Sequence, residues 1–154
     1  MTVSLIISTY NSPKALELCL KSVLQQSTLP DEVLIADDGS GEETIKVVKE
    51  FQKESPVPVI HVWHEDNGFR LTAIRNKAIA KASMDYIIQI DGDIILNRHF
   101  VKDHKRFARK NSFVSGSRLN IQPELSEKLI AERSIQVSIR NKGVHNRLNG
   151  IRWG

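Results

Sequence analysis

The strongest constraint on the fold is a regular alternation of short apolar runs with longer amphipathic runs before residue 92. Four runs rich in β-branched side chains have the composition of buried strands: VSLIIST (3–9), EVLIADD (32–38), VPVIHVW (57–63) and DYIIQID (85–91). Three runs between them place apolar residues at helical spacing: PKALELCLKSVLQQS (13–27), TIKVVKEFQKE (44–54) and LTAIRNKAIAKAS (71–83). The first helix is predicted to begin at Pro13, with Ser12 as its N-cap. This pattern predicts an α/β fold with a mainly parallel sheet and helices on both faces.

Length and composition indicate one ordinary globular domain. The chain has 154 residues, of which 40% are hydrophobic and 26% are charged, enough for one core and short for two. The longest uncharged apolar runs fall well below the roughly 18 residues of a membrane-spanning helix, and the N-terminus lacks the pattern of a secretory signal. We therefore expect a cytoplasmic protein whose single cysteine, Cys19, is part of the core.

Charge is distributed unevenly along the chain. Residues 1–103 contain 11 Lys and Arg against 15 Asp and Glu, whereas residues 104–154 contain 11 against 3. The field of such a basic segment attracts nucleic acid, an anionic membrane surface or an anionic substrate alike. The segment has few aromatic residues and no recognisable nucleic-acid-binding motif. We expect no nucleic-acid partner, and peripheral association with a membrane stays open.

Polar residues follow each of the four predicted strands. The clusters are STYN (8–11), DDGS (37–40), HEDNG (64–68) and DGD (91–93). In an open parallel sheet, ligands bind in the crevice beyond the carboxyl ends of the strands. One such cluster alone is typical of a capping turn or a solvated loop. Four clusters at the same edge of the sheet favour a binding site.

The DGD cluster allows two interpretations. Asp-Gly between apolar runs is a signal for a β-hairpin, but the following IILNRHFVKDHKRF soon takes a helical pattern and leaves too few residues for a stable second strand. Alternatively, Asp91 and Asp93 hold a divalent cation, with Gly92 allowing close approach. Mg²⁺ and Mn²⁺ prefer oxygen ligands and, where phosphate is present, commonly take only one or two carboxylates from the protein.

Four segments together resemble the family 2 glycosyltransferases of GT-A fold. They are VSLIISTYN, DEVLIADDGS, NGFRLTAIRNKAI and DYIIQIDGDIILN, in the order and spacing of that family, and the resemblance covers residues 1–118. The NGFR and DGDIILNRHFVKDH portions are most similar to bacterial enzymes that build capsular or lipopolysaccharide chains, including the chondroitin-polymerase type. The resemblance implies transfer of a sugar, with inversion, from a UDP-sugar donor to a glycan or lipid-linked acceptor, in the cytoplasm or at the inner face of the membrane.

The resemblance also implies roles for individual residues. Tyr10 would stack on the uracil ring, and Asp38 would accept the N3 proton of uracil, which cytosine lacks. Arg70 would contact the diphosphate. The other implied binding residues are Ser8 and Asn11 in the same pocket, Asp91 at the ribose or a metal-bound water, and Asp93 as the direct ligand of Mn²⁺ or Mg²⁺.

Polar residues next to these positions are expected to support the site. Asp37 is predicted to hold the loop that carries Asp38, and Arg75 is predicted to lie within the helix, with Asp91 or Asp93 as an alternative partner. His61 and His64 have a spacing that does not suit one face of a strand. We therefore expect both histidines to be structural.

The catalytic base is the part of the family pattern that this sequence does not match. Family members carry an Asp or Glu, often in an acidic pair, downstream of the DxD strand. After Asp103 the only carboxylates are Glu124, Glu127 and Glu132, in one helix-like stretch without an acidic pair. No single base is predicted, and these three are the candidates. We predict a nucleotide-sugar-binding domain at 1–118 and a basic segment at 119–154 that begins an incomplete acceptor-side region and is a loop from residue 140.

Two other functions remain open. A UDP-sugar-binding module without catalysis would keep Tyr10, Asp38 and Arg70 and would need no base. A sugar nucleotidyltransferase would share a nucleotide-binding α/β sheet, but it normally begins with a Gly-rich, basic phosphate loop, which LIISTYNSPKA lacks.

Overall fold

The computed structural model describes residues 1–147 and shows the predicted alternation of strands and helices. The first elements are β1 (Val3–Thr9), α1 (Pro13–Leu24), β2 (Glu32–Asp37), α2 (Glu42–Glu54), β3 (Val59–Trp63), α3 (Leu71–Lys81) and β4 (Tyr86–Asp91). They are followed by α4 (Phe100–Phe107), β5 (Asn120–Ile121), α5 (Pro123–Ala131) and β6 (Val144–His145).

Strands β1 to β4 form one parallel sheet in the order β3-β2-β1-β4. The chain passes from β1 through β2 to β3 and then returns to the other side of β1, where it forms β4. The strand order therefore reverses beside β1, and α/β sheets bind ligands at such a point, beyond the carboxyl ends of the strands. The predicted fold class is confirmed.

Helices cover both faces of this sheet. Successive side chains of a strand point to opposite faces, and in β1 Leu5 and Ile7 belong to one core cluster while Ile6 belongs to another. The first cluster includes residues of α1 and α2, among them the fully buried Cys19, and the second includes residues of α3. Burial of each Leu or Ile side chain contributes about 1.5–3 kcal/mol. The two clusters hold the strand ends, and the polar residues on them, in fixed positions.

The DGD segment is a turn at the end of β4 and not the tip of a hairpin. Within residues 1–147, β4 pairs only with β1, and α4 begins at Phe100, where the second strand of a hairpin would have ended. The helical pattern of residues 100–107 prevails because it buries Val101 and His104 against the rest of the protein. The hairpin interpretation is therefore wrong.

One local prediction is confirmed and another is wrong. Ser12 occupies the N-cap position of α1, and its carbonyl oxygen accepts the backbone N–H of Leu16 at 3.0 Å, although its side chain makes no capping hydrogen bond. The predicted loop from residue 140 contains β6, which pairs antiparallel with β5. Each of these strands has 2 residues, too few to show a periodic pattern. Residues 148–154 of that predicted loop lie outside the described residues.

Candidate functional site

The carboxyl ends of the neighbouring strands β1, β2 and β4 carry polar residues, and the parallel pairing of these strands brings the residues together. In the parallel register Ser8 lies opposite Ala36 of β2 and Asp91 of β4. The loops that follow these strands carry most of the other predicted site residues. The structure thus brings the nucleotide-binding candidates to one edge of the sheet, as the predicted parallel arrangement of the strands requires.

Arg75 of α3 connects two of these strands. Its Nε donates to Oγ of Ser8 at 2.8 Å, and its Nη2 donates to Oδ1 of Asp91. The structure therefore pairs Arg75 with Asp91 and not with Asp93. Both side chains of this ion pair are partly exposed, so its contribution to stability is modest. Its main consequence is to fix the orientation of Asp91 beside the end of β1.

Asp91 and Asp93 lie on either side of Gly92, whose N–H donates to the carbonyl oxygen of Ser8 at 2.8 Å. Asp93 is exposed. Within residues 1–147 no group of three or more His, Cys, Asp or Glu side chains could hold a metal ion. The two carboxylates of Asp91 and Asp93 suit a hard cation such as Mn²⁺ or Mg²⁺ if a diphosphate and water supply the remaining oxygen ligands.

Cys19 lies under this carboxylate pair but is not a suitable ligand for a cation. Burial, assisted by the negative charges of Asp93 and Asp91, raises the pKa of the Cys19 thiol to about 12. The group that binds metals is the thiolate, and the thiol is protonated at neutral pH. The donor set consists of oxygens only.

Asp37 holds the turn after β2, as predicted. Its Oδ1 accepts the backbone N–H of Ser40 at 2.8 Å, and its Oδ2 lies 2.9 Å from Nε2 of His61. Burial by itself raises the pKa of Asp37, but the hydrogen bonds from His61 and Ser40 outweigh burial and lower it overall. Asp37 is therefore a charged, fully paired structural residue.

Asp38 is nearly buried, with 3% of its surface exposed. Its Oδ2 accepts the backbone N–H of Arg70 at 2.8 Å, and its Oδ1 lies 2.6 Å from Nε2 of His64. Lys77 approaches His64 from the other side, with Nζ at 3.1 Å from Nδ1. Both oxygens of Asp38 are thus fixed by one donor each, and each keeps a further lone pair to accept a donor from a ligand.

Sequence reasoning missed the contacts of the two histidines. His61 lies on β3 next to β2, and His64 lies just after β3, so the parallel pairing of these strands brings each imidazole to one carboxylate of the Asp37–Asp38 pair. A spacing of three residues does not suggest a common face of one strand, because the second histidine is already in the loop. The available signal was that DDGS and HEDNG end neighbouring parallel strands.

Tyr10 and Asn11 form the loop after β1. Tyr10 is 49% exposed, and its hydroxyl donates to Oδ2 of Asp66 at 3.0 Å. This hydrogen bond, together with the charge of Asp66, raises the pKa of Tyr10. Asn11 has a left-handed backbone (φ 44°), and its Oδ1 accepts the N–H of Gly41 at 2.9 Å. Asp38 lies next to this loop, because its backbone N–H donates to the carbonyl oxygen of Thr9 at 3.0 Å.

Arg70 has a buried nitrogen that no described residue satisfies. Its Nη2 donates to the carbonyl oxygen of Glu65, whereas its Nε is buried without a hydrogen-bond partner in residues 1–147. A buried donor without a partner needs an explanation in a folded protein. An anion such as a phosphate group would satisfy this guanidinium.

The three candidate bases are not brought to the DGD turn. Glu124 and Glu127 on α5 and Glu132 after it are exposed, and Glu132 lies 3.8 Å from Lys128. A cavity of about 1400 Å³ extends from Asp93 to α5. The residues that α5 contributes to its lining are Ser126, Leu129 and Ile130. The glutamates of this segment do not line the cavity that contains Asp93.

Comparison with known proteins identifies the family of the chain. Residues 4–152 match the profile of Glycosyl transferase family 2. The chain belongs to this family. The expected resemblance is confirmed.

Curated relatives of this family 2 glycosyltransferase chain include two polysaccharide synthases. The chain is 36% identical over 103 residues to chondroitin synthase of Escherichia coli, a match covering 66% of the chain and 15% of that protein. It is 32% identical over 103 residues to hyaluronan synthase of Pasteurella multocida, covering 66% of the chain and 10% of that protein. The chain thus spans a small part of the length of these relatives.

Solved structures show the same fold. TarS from S. aureus matches with a TM-score of 0.60 and 28% identity, over 70% of this chain and 19% of TarS. The mannosyltransferase PcManGT from Pyrobaculum calidifontis, in complex with GDP-Man and Mn²⁺, matches with a TM-score of 0.65 and 21% identity, over 82% of this chain and 37% of PcManGT. The second likeness shows the fold alone.

Proposed function

We propose that this family 2 glycosyltransferase transfers a sugar, with inversion, from a UDP-sugar donor to a glycan or lipid-linked acceptor in cell-surface polysaccharide synthesis. The observation that carries the proposal is the placement of Tyr10, Asp38, Arg70, Asp91 and Asp93 around the carboxyl end of β1. The exposed ring of Tyr10 suits the base, and the buried carboxylate of Asp38 suits the imide N–H. The guanidinium of Arg70, with its unpaired Nε, suits the diphosphate. The oxygens of Asp91 and Asp93 suit the cation of a nucleotide sugar. The similarity to chondroitin synthase and hyaluronan synthase supports a polysaccharide product.

The choice of base depends on side chains and not on the fold. PcManGT has the same fold in complex with GDP-Man, and TarS has been solved in complex with UDP-GlcNAc. In the present chain, Asp38 offers a carboxylate acceptor, which suits the N3–H of uracil and repels the N3 lone pair of cytosine. Tyr10 stacks on the base, and Ser8 and Asn11 line the same pocket. Uracil is therefore the base that these residues select.

Charged groups of the site act on the donor during the transfer reaction. An acceptor hydroxyl gives its proton to a general base and forms a bond to the anomeric carbon as the bond from that carbon to the diphosphate breaks. Attack from the opposite face inverts the centre. Arg70 holds the diphosphate, and Arg75 keeps Asp91 in place beside the ribose. Asp93, with Asp91, would hold Mn²⁺ or Mg²⁺, which supplies positive charge that stabilises the departing diphosphate.

A second candidate function is a UDP-sugar-binding module without catalysis. It is favoured by the positions of Glu124, Glu127 and Glu132, which are exposed and do not line the cavity that contains Asp93. A general base must come within hydrogen-bond reach of the proton that it removes.

The nucleotide-binding unit is assigned to residues 1–118 and the acceptor side to the segment from residue 119. The nucleotidyltransferase alternative has no support from the family match.

The proposal includes a location at the inner, cytoplasmic face of the membrane, near a lipid-linked acceptor. No helix in the described part of the chain is long and apolar enough to cross a membrane. Helix α4 buries Val101 and His104 and leaves Lys102, Arg106 and Phe107 exposed, a combination that suits an anionic lipid surface. Co-sedimentation with phosphatidylserine vesicles, but not with neutral vesicles, is the expected result.

The proposed donor is tested by calorimetric titration of the chain with UDP, CDP and ADP, each with Mn²⁺ and with a chelator. We expect UDP to bind most tightly and to lose affinity in the chelator. Equal affinity for the three nucleotides would remove Asp38 from the site, and no binding of any nucleotide would refute the proposed function. Sugar transfer to a glycan acceptor then separates the two candidates, because the module binds the donor without turnover.

A further inference from the structure

Three residues from three parts of the chain form a hydrogen-bonded series behind the nucleotide site. Nζ of Lys77 on α3 lies 3.1 Å from Nδ1 of His64, and Nε2 of His64 lies 2.6 Å from Oδ1 of Asp38. His64 is buried, with 8% of its surface exposed, whereas Lys77 is exposed. His64 has so far been described only as a partner of Asp38, and Lys77 only as a partner of His64.

The chemistry of Lys77 determines where the proton of His64 lies. An ammonium group has three donors and no acceptor, so Nδ1 of His64 must accept from Lys77 and carries no proton. The ring proton of the neutral imidazole therefore lies on Nε2, which donates to Asp38. Without Lys77, the imidazole could place its proton on Nδ1 instead. The bare Nε2 would then face the lone pairs of Asp38, and the carboxylate would lose a donor.

We propose that Lys77 and His64 are positioning residues that set the base selectivity of the site by fixing Asp38 as a carboxylate acceptor. This inference rests on the proposed function, since it concerns how a UDP site distinguishes its base. The Nε2–H of His64 and the backbone N–H of Arg70 hold one oxygen of Asp38 each. The remaining lone pairs of Asp38 accept the ring N3–H of uracil and repel the N3 lone pair of cytosine. A carboxylate that is free to rotate would lose this discrimination between the two bases.

The measured quantity is the ratio of the dissociation constants of CDP and UDP, determined by calorimetry in Mn²⁺. His64→Leu removes the donor to Asp38 and should lower this preference for UDP about tenfold, since a hydrogen bond to a charged group is involved. Lys77→Met removes only the tautomer constraint and should lower it about threefold. Lys81→Met, four residues along α3, removes another exposed lysine and should leave the preference unchanged. Lys77→Arg keeps a donor to His64 and should therefore keep the preference for UDP.

A double substitution separates tautomer control from simple attraction between Lys77 and an anionic ligand. The amide introduced by His64→Gln presents an N–H₂ group to Asp38 and has no tautomers, so this variant should keep most of the preference for UDP. In that background Lys77→Met should have no further effect on the preference. Circular dichroism and thermal unfolding of each variant check the fold.

The outcomes distinguish this inference from the proposed function. If the parent protein binds no UDP, the proposed function fails and the inference fails with it. If the parent prefers UDP but His64→Leu and Lys77→Met keep that preference, only the inference is overturned. An equal effect of Lys77→Met in the parent and in the His64→Gln variant also overturns it, because the effect then does not pass through the imidazole.

Discussion

The backbone N–H of Gly92 donates to the carbonyl oxygen of Ser8 at 2.8 Å, and a Cβ atom at residue 92 would lie 2.9 Å from the same oxygen. This close approach attaches the turn with both metal-ligand candidates to the end of β1. Gly92→Ala should lower the free energy of unfolding by about 1–3 kcal/mol, because the obstructing atom belongs to the backbone and cannot move aside easily. Urea denaturation measures the change.

The control for this substitution is Gly116→Ala, whose new Cβ would lie 3.8 Å from Cε2 of Phe100, an ordinary contact. It should leave the free energy of unfolding nearly unchanged. Equal stability of the Gly92→Ala variant and the parent would mean that β4 and β1 are less closely coupled than the hydrogen bond indicates.

The metal assignment predicts a specific effect of Asp93→Asn. The amide lacks the negative charge of the carboxylate, so the gain in UDP affinity on adding Mn²⁺ should fall at least about tenfold, while UDP binding in chelator stays as in the parent. Glu50→Gln, an exposed change on α2, is the charge-matched control. A parent-like response of the Asp93→Asn variant to Mn²⁺ would exclude Asp93 as a ligand.

Two substitutions separate the ring of Tyr10 from its hydroxyl. Stacking on a base is worth about 1–3 kcal/mol, so Tyr10→Ala should weaken UDP binding about tenfold or more. Tyr10→Phe keeps the ring and loses only the hydrogen bond to Asp66, so its effect should be within about threefold. Calorimetry gives both values. The assignment of stacking fails if the Ala variant binds as well as the Phe variant.

The paired carboxylate of Asp37 predicts a pH-dependent contribution to stability. Its pKa in the folded protein is lowered, so the contribution is present above the unfolded pKa of about 3.9 and is lost as the pH falls through the folded value. Asp37→Asn should therefore cost about 1–3 kcal/mol at pH 7, and its difference from the parent should shrink below about pH 4.

Urea denaturation at several pH values between 7 and 3 measures this difference. The exposed Glu50→Gln change should leave the stability close to the parent throughout that range. A difference between the parent and the Asp37→Asn variant that stays constant down to pH 3 would show that the hydrogen bonds of Asp37 do not depend on its charge.

The periodicity of the sequence was sufficient to predict the sheet, because its strands and helices are determined by local patterns. Short apolar runs separated by amphipathic runs allow few arrangements other than a helix-covered parallel sheet. The same argument placed Ser8, Tyr10, Asp38 and Asp91 at one edge, since the carboxyl ends of parallel strands meet there. The strands β5 and β6 were not predicted, because 2 residues are too few to show a periodic pattern.

What only the tertiary structure decided is which polar side chains pair with one another. The sequence left Arg75 with two possible partners and assigned His61 and His64 no contacts. In the folded protein, Arg75 bonds to Ser8 and Asp91, and each histidine bonds to one carboxylate of the Asp37–Asp38 pair. These pairs join residues far apart in the chain, and their geometry depends on strand register and on the packing of α3 against the sheet. Local patterns contain neither quantity, because both are set only when the core closes.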